Sequence, residues 1–287
     1  MTPRPPAIDV HPAIDLHSHS TASDGQFPAG QVAERAAAAG VGVWALTDHD
    51  SIAQLREGAE AAAVRGLRFV PGIELSAQLD RSREVHVLGH FVDPASGALR
   101  RFEDLLAEKR RVRVGEVIVK LAGLGVTLLP EDIEKFSGGK TLGRPHIARA
   151  LMEHGVVATV KEAFDRFLGE GRPAYVARFR LSAEDAIALV RGAGGTASVA
   201  HPGSSRVERH DLERLKGAGL AGVETYHPDH NPSVREKYAR IARELDLVPT
   251  AGSDYHGPEV TPDRRLGMVT MSEDELARLE ARRGEGG

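Results

Sequence analysis

Six short clusters of histidine and carboxylate punctuate this chain. They are Asp15-Leu16-His17-Ser18-His19 with Asp24 behind it, Thr47-Asp48-His49-Asp50, Pro71-Gly72-Ile73-Glu74, Glu84-Val85-His86, Ala200-His201-Pro202 and Gly252-Ser253-Asp254-Tyr255-His256. Side chains at i and i+2 of an extended segment point the same way, so His17 with His19, and Asp254 with His256, can each face one ion. A single His-x-His is weak evidence. Six clusters, each closing a short apolar run, read as buried strands that deliver ligands at their tips. The chain has 13 histidines and no cysteine. Thiolate sites and disulfides are therefore excluded, and the ligands left are imidazole and carboxylate, a set suited to Mn, Fe, Zn or Mg. The chemistry implied is that of a multi-metal site.

The elements that must position these residues alternate. Strands are expected near 13–18, 41–47, 68–75, 84–92, 196–200, 222–226 and 248–254. Alanine-rich helices lie between the first three, closed by Gly40 and Gly66, which are C-terminal stops. Ser182 followed by Asp185 reads as an N-cap, and Pro232 to Asp246 as a helix with Ile241 and Leu245 inward. This alternation predicts a parallel sheet, and seven strands predict an α/β barrel whose strand ends meet on one face. Residues 93–180 break the pattern with helices near 100–123, 131–136, 144–154 and 160–168. The expected organisation is a barrel from 8–92 and 181–271, a helical insert over 93–180, and a C-terminal helix with a frayed tail over 272–287. The insert carries 16 Lys+Arg against 12 Asp+Glu, while the rest carries 21 against 29. A basic insert, including Lys109-Arg110-Arg111-Val112-Arg113, suits an anionic substrate, although a solvated helix face explains that run equally simply. No apolar run is long enough to span a bilayer and no signal pattern opens the chain, so a cytoplasmic location is expected.

The motifs DLHSHS (15–20), SDG (23–25), TDHD (47–50), PGIE (71–74), EVHVLG (84–89), AHP (200–202) and GSDYH (252–256) run in the order of the PHP (polymerase and histidinol phosphatase) superfamily, which the chain resembles over nearly its whole length. The resemblance implies a distorted (β/α)7 barrel with a helical insert and two or three divalent ions, Mn foremost, with Fe or Zn as alternatives. It implies one ion on His17, His19, Glu74 and Asp254, a second on Asp24, His49 and His256, and a third on Glu74, His86 and His201. His90 rivals His86 for its place. Asp48 and Asp50 read as supporting or capping residues, and His11, His154 and His210 as surface or capping histidines.

Two further motifs, Gly143-Arg144-Pro145-His146 and Gly222-Val223-Glu224-Thr225-Tyr226-His227-Pro228-Asp229-His230, resemble the branch that hydrolyses nucleoside 3′,5′-bisphosphates and trims short RNA from its 5′ end. In that branch Arg144 and His146 would grip a phosphate that is not hydrolysed. His227 or His230 would contact substrate or move a proton, with Asp254 and His256 at the reacting centre. A nucleotide or short oligonucleotide is the expected partner, with no membrane and no obligate protein. The rival readings are a histidinol-phosphate phosphatase, a proofreading exonuclease and a non-catalytic metal-binding scaffold. The low aromatic content of 5% argues against long nucleic acid as an obligate partner.

Overall fold

The computed structural model describes residues 12–136 and 143–284. His11, the expected barrel start at 8–11 and the tail residues 285–287 lie outside the described residues. The strands are β1 (Ala13–Asp15), β2 (Val41–Leu46), β3 (Arg68–Gln78), β4 (Glu84–His90), β5 (Leu181–Ser182), β6 (Thr196–Val199), β7 (Gly222–Tyr226) and β8 (Val248–Ala251). The helices are α1 (Ala29–Ala38), α2 (Leu55–Val64), α3 (Gly97–Ala122), α4 (Pro130–Glu134), α5 (Arg144–Glu153), α6 (Val160–Ala163), α7 (Ala183–Gly192), α8 (Arg209–Gly217), α9 (Pro232–Glu244) and α10 (Glu273–Glu280). The chain packs as two compact units. Residues up to Arg100, with those from Leu181 onward, form one, and Arg101–Arg180 the other.

In the first unit the strands run in the order β1-β2-β3-β4-β6-β7-β8, with the two-residue β5 beside β3. The seven strands of the main path are those expected from sequence, in a mixed α/β sheet dominated by parallel pairs. Beyond β1 and β8 the backbone joins the two ends of the sheet. Leu16 N donates to Ala251 O (3.0 Å), Asp254 N to His17 O (2.9 Å) and His19 N to Tyr255 O (2.9 Å).

One strand departs from the expected parallel order. β4 is antiparallel to both β3 and β6. Only Leu79–Arg83 separate β3 from β4, a connection far too short for the crossover that parallel neighbours require. The reversal is therefore dictated by loop length. It brings the start of β4, not its end, to the rim where the parallel strands finish. Helix α8 was not anticipated either. Its buried Leu212 and Leu215 are only one turn apart in a largely charged segment, so its apolar stripe is short.

Gly40 and Gly66 take φ of +79° and +69°, the left-handed geometry of a helix C-terminal stop. Ser182 Oγ accepts Asp185 N (3.1 Å) at the start of α7. Ile241 and Leu245 are buried, as their spacing requires.

The second unit is helical and encloses its own core, including Val114, Val117, Leu121, Ile133, Ile147, Leu151 and Leu168. The helix expected over 160–168 changes character midway. After α6 the turn Phe164–Leu168 is π-helical, closed by Gly169 N to Phe164 O at 2.8 Å. A Cβ on Gly169 would sit 2.7 Å from that carbonyl, so only glycine closes the turn.

Candidate metal centre

Strand ends of the first unit converge on one rim, as barrel topology demands. His17 and His19 follow β1, His49 follows β2, and Glu74 lies within β3. His86 stands near the start of reversed β4, His201 follows β6, and Asp254 and His256 follow β8. Glu74, His17 and His19 have no solvent exposure.

Glu74 is the hub. Its Oε2 lies 3.2 Å from His17 Nε2, 3.2 Å from His19 Nε2 and 3.1 Å from His49 Nδ1, while Oε1 lies 2.8 Å from His86 Nδ1 and 3.2 Å from His201 Nε2. Asp254 Oδ1 is 3.3 Å from His17 Nε2 and 3.2 Å from His19 Nε2. His17 Nε2, His19 Nε2, His49 Nδ1 and Glu74 Oε2 are buried without a hydrogen-bond partner. Four polar atoms aimed at one another and left unpaired would each cost free energy unless something binds there. Imidazole and carboxylate donors in that arrangement fit divalent ions.

The ligand atoms of His17, His19, Glu74 and Asp254 all lie within 4.8 Å of one another, and so do those of His19, Asp24, His49 and His256 and those of His49, Glu74 and His86. The four residues expected around the first ion stand together. The three expected around the second also stand together, joined by His19. Around Glu74 and His86 the third ligand by proximity is His49, whereas His201 meets Glu74 from its own side. His90 is elsewhere. It is fully buried, its Nε2 meets Leu16 O (2.9 Å), and burial drives its pKa down to about 4.

Supporting groups fix these ligands, and several were not singled out from sequence. Glu224 on β7, fully buried, places Oε1 2.9 Å from His17 Nδ1 and accepts His201 N at Oε2 (2.6 Å). A carboxylate behind a metal-facing imidazole sets its tautomer and orientation. Alternation could have flagged Glu224, because a glutamate within an apolar strand has to face something that needs it. Asp48 accepts from Ser20 N and Oγ and from Ser23 Oγ, and Asp50 accepts Ser76 N, both in the supporting role read from sequence. Asp15 accepts the backbone N–H groups of Ser253 and Gly267. Gly252 leaves the room this needs, since a Cβ there would lie 2.2 Å from His17 Cβ.

Two histidines follow β7, and their partners separate them. His227 Nδ1 accepts Asp229 N (3.1 Å), which leaves the proton on Nε2. That Nε2 is buried and unpaired, 3.5 Å from Asp254 Oδ2. His230 has both nitrogens engaged by backbone, at Thr225 O (3.0 Å) and Gly203 N (3.2 Å), and its ring stacks on Tyr238. Both nitrogens of His230 are thus held by backbone, whereas His227 keeps Nε2 without a hydrogen-bond partner.

In the second unit Arg144 donates to Leu168 O (3.2 Å), a carbonyl at the end of the π-turn, and lies over the rings of Phe164 and Tyr175. Burial, and then the charges of Arg144, Arg178 and Arg180, lowers the pKa of Arg113. Four guanidinium groups therefore share one neighbourhood. His146 Nδ1 accepts Gly143 N (3.1 Å), capping its own helix. Of the remaining histidines, His154 meets Asp132 and His210 is exposed beside Asp211.

The arrangement defines a metal-dependent hydrolase of the barrel type. Residues 15–114 match the PHP domain. Over 250 residues the chain is 36% identical to a 3′,5′-nucleoside bisphosphate phosphatase of Chromobacterium violaceum, covering 85% of this chain and 87% of that protein. Over 251 residues it is 35% identical to a 5′-3′ exoribonuclease of Haemophilus influenzae, covering 85% and 90%. A solved structure from Bifidobacterium adolescentis, described as a metal-dependent phosphoesterase, superposes with a TM-score of 0.73 at 29% identity, covering 96% and 99%. The chain belongs to the PHP domain family, and its activity class is that of a metal-dependent phosphoesterase. No helix among the described residues is long and apolar enough to cross a membrane.

Two outcomes follow from this electrostatic arrangement. Burial opposes charge on His19, but Asp254 and Glu74 outweigh it and raise its pKa to about 9. Burial likewise opposes charge on Glu74, yet the surrounding imidazoles, His49 and His17 foremost, hold its pKa well below 4.5. The raised imidazole stabilises the fold fully below its ordinary 6.5 and loses that contribution as pH climbs through about 9. The depressed carboxylate contributes fully above its ordinary 4.5. Metal-free protein should thus lose stability above pH 6.5, with Tm falling from there toward pH 9, while on the acid side the depressed imidazoles of His49 and His90 resist the charging that unfolding allows and lower it as well. Excess divalent ion should cancel that fall, because deprotonated imidazoles bind it; a metal-free Tm that is flat from pH 6 to 9 would contradict the assignment. Separately, Glu224→Gln should loosen divalent-ion binding roughly tenfold, read by equilibrium dialysis with metal analysis.

Proposed function

We propose that this protein removes the 5′-phosphate of nucleoside 3′,5′-bisphosphates and, by the same attack, releases nucleotides from the 5′ end of short oligonucleotides. The observation that carries the reading is the convergence of five imidazoles on Glu74, with the nitrogens of His17, His19 and His49 that face Oε2 left unpaired. In this reading His17, His19, Glu74 and Asp254 hold one ion and Asp24, His49 and His256 a second. Glu74, His86 and His201 hold a third, with manganese the expected metal. The names of the relatives supply the nucleotide class, and the cytoplasm is the setting it implies.

When bound, the ions lower the pKa of water and offset the charge that builds on the phosphoryl oxygens. The protein's own groups do the rest. Glu224 holds His17 in the tautomer that leaves Nε2 unprotonated and facing Glu74 and Asp254. His227, with Nδ1 occupied by Asp229 N–H, offers Nε2–H as a hydrogen bond that stabilises the negative charge on the departing 5′-oxygen. Asp254 and His256 line the same centre, their side chains 3.5 Å apart. Arg144, held by Leu168 O, and the neighbouring Arg113, Arg178 and Arg180 supply the positive charge for the phosphate that is not cleaved. His146 contributes there through its remaining nitrogen. Four guanidinium groups disfavour the cationic amine of histidinol phosphate, which makes that substrate the runner-up.

The test is phosphate release by Mn-loaded protein from adenosine 3′,5′-bisphosphate, 5′-AMP, histidinol phosphate and a 5′-phosphorylated RNA dinucleotide. The bisphosphate should win on kcat/KM, and histidinol phosphate winning would overturn the substrate reading. Arg144→Ala should cost the bisphosphate at least about tenfold in kcat/KM, the loss of one charge-assisted contact, and spare an aryl phosphate. His227→Ala should lower kcat by roughly 10²–10³-fold on a poor leaving group and much less on p-nitrophenyl phosphate, whose leaving oxygen needs little stabilisation.

A further inference from the structure

The irregular segment after β8 sends Arg264 back to the metal-facing rim, where it grips Asp254 twice. Its Nη1 donates to the Asp254 main-chain oxygen (3.1 Å) and to Asp254 Oδ2, while Nη2 donates to Asp229 Oδ2 (2.7 Å). The side chains of Arg264 and Asp254 are mostly buried, and that of Asp229 is half exposed. Asp254 needs such a grip. Its φ is +49°, a left-handed conformation that costs a non-glycine residue free energy. With Oδ2 taken by Arg264, only Oδ1 is left facing His17 Nε2 and His19 Nε2.

We infer that Arg264 is a positioning residue: it fixes the backbone and the outer oxygen of Asp254, so that this ligand presents a single oxygen to the ion, and Asp229 anchors it from outside. The inference rests on the metal-site reading above. A planar guanidinium suits the task because its fork reaches two carboxylates and a carbonyl at once, which a lysine ammonium on a flexible stem does not reproduce. The sign of the effect separates positioning from charge. Beside a cation site a guanidinium repels the ion, so if Arg264 acted only as a charge, deleting it would tighten metal binding. Positioning predicts that deletion loosens it.

The experiment is equilibrium dialysis of full-length protein against Mn²⁺, with metal analysis, for wild type, Arg264→Ala, Arg264→Lys and Asp229→Asn, beside steady-state kinetics on a phosphomonoester at saturating Mn²⁺. Arg264→Ala should raise the Mn²⁺ Kd about tenfold or more while KM stays within about twofold. Arg264→Lys should recover only part of the affinity. Asp229→Asn, a change at a half-exposed position that does not threaten folding, should loosen binding a few-fold. Unchanged or tighter Mn²⁺ binding in Arg264→Ala overturns the inference, as does full recovery by lysine. A large KM rise at unchanged Kd also overturns it, making Arg264 a substrate contact instead. Wild type that holds no Mn²⁺ would sink the metal-site reading itself, a result distinct from wild type and variant binding alike.

Discussion

A fully buried carboxylate shared by five histidines is the constraint on which the rest of this structure depends. Taking Glu74 out of water is costly unless positive charge and hydrogen bonds compensate it. Here the compensation is built from His17, His19, His49, His86 and His201, all within 3.2 Å of one Glu74 oxygen or the other. Those imidazoles repel one another when protonated, so the cluster cannot be satisfied by protons alone. The pKa of His19, raised against burial by Asp254 and Glu74, beside that of His49, which burial depresses, expresses that frustration. Divalent cations resolve it, since each replaces protons and draws on several ligands at once.

Around this hub each histidine's role is decided by what holds its second nitrogen. His17 has Glu224 behind it and so turns Nε2 inward. His227 has a backbone N–H at Nδ1, which forces the proton onto Nε2 and makes the ring a donor. His230, three residues on, has backbone at both nitrogens and is a strut between β7 and the loop that carries His201. The same residue type serves as metal-facing imidazole, hydrogen-bond donor and brace because its two nitrogens are chemically distinct and separately assignable.

Much of this was legible in the sequence. Period-two spacing puts His17 with His19 and Asp254 with His256, and strand–helix alternation brings their strands to one rim, so their meeting could be read without coordinates. Other features needed the third dimension. Glu224 and Arg264 act on ligands 207 and 10 residues away, through contacts that carry no local spacing signal. His90 shares a strand face with His86 by alternation. The two stand near opposite ends of β4, and its reversal puts His86 at the rim, where it meets Glu74, and His90 inside against a backbone carbonyl. The reversal was implicit in the short link Leu79–Arg83, which a count of connecting residues would have found.

Backbone strain at the rim follows from the same demand for convergence. Asp50, His201 and Asp254 all take positive φ, and each sits where the chain leaves a strand tip and must aim a side chain or a carbonyl across the barrel. Non-glycine residues avoid this region because Cβ crowds the following carbonyl. Glycine would relieve the strain but could not supply an imidazole or a carboxylate. The cost is offset by the surrounding bonds: Asp254 N to His17 O, Asp50 N to Glu74 O, and His201 N to Glu224 Oε2. Each of these bonds ties one strand tip to another strand's ligand. The rim is therefore braced in pairs, in which a ligand's conformation is held by the neighbour whose ligand it helps to orient. Loosening one tip should disturb ligands on two or three strands, which is why single changes behind the ligands, where no ion is touched, are expected to register in metal affinity before they register in the stability of the fold.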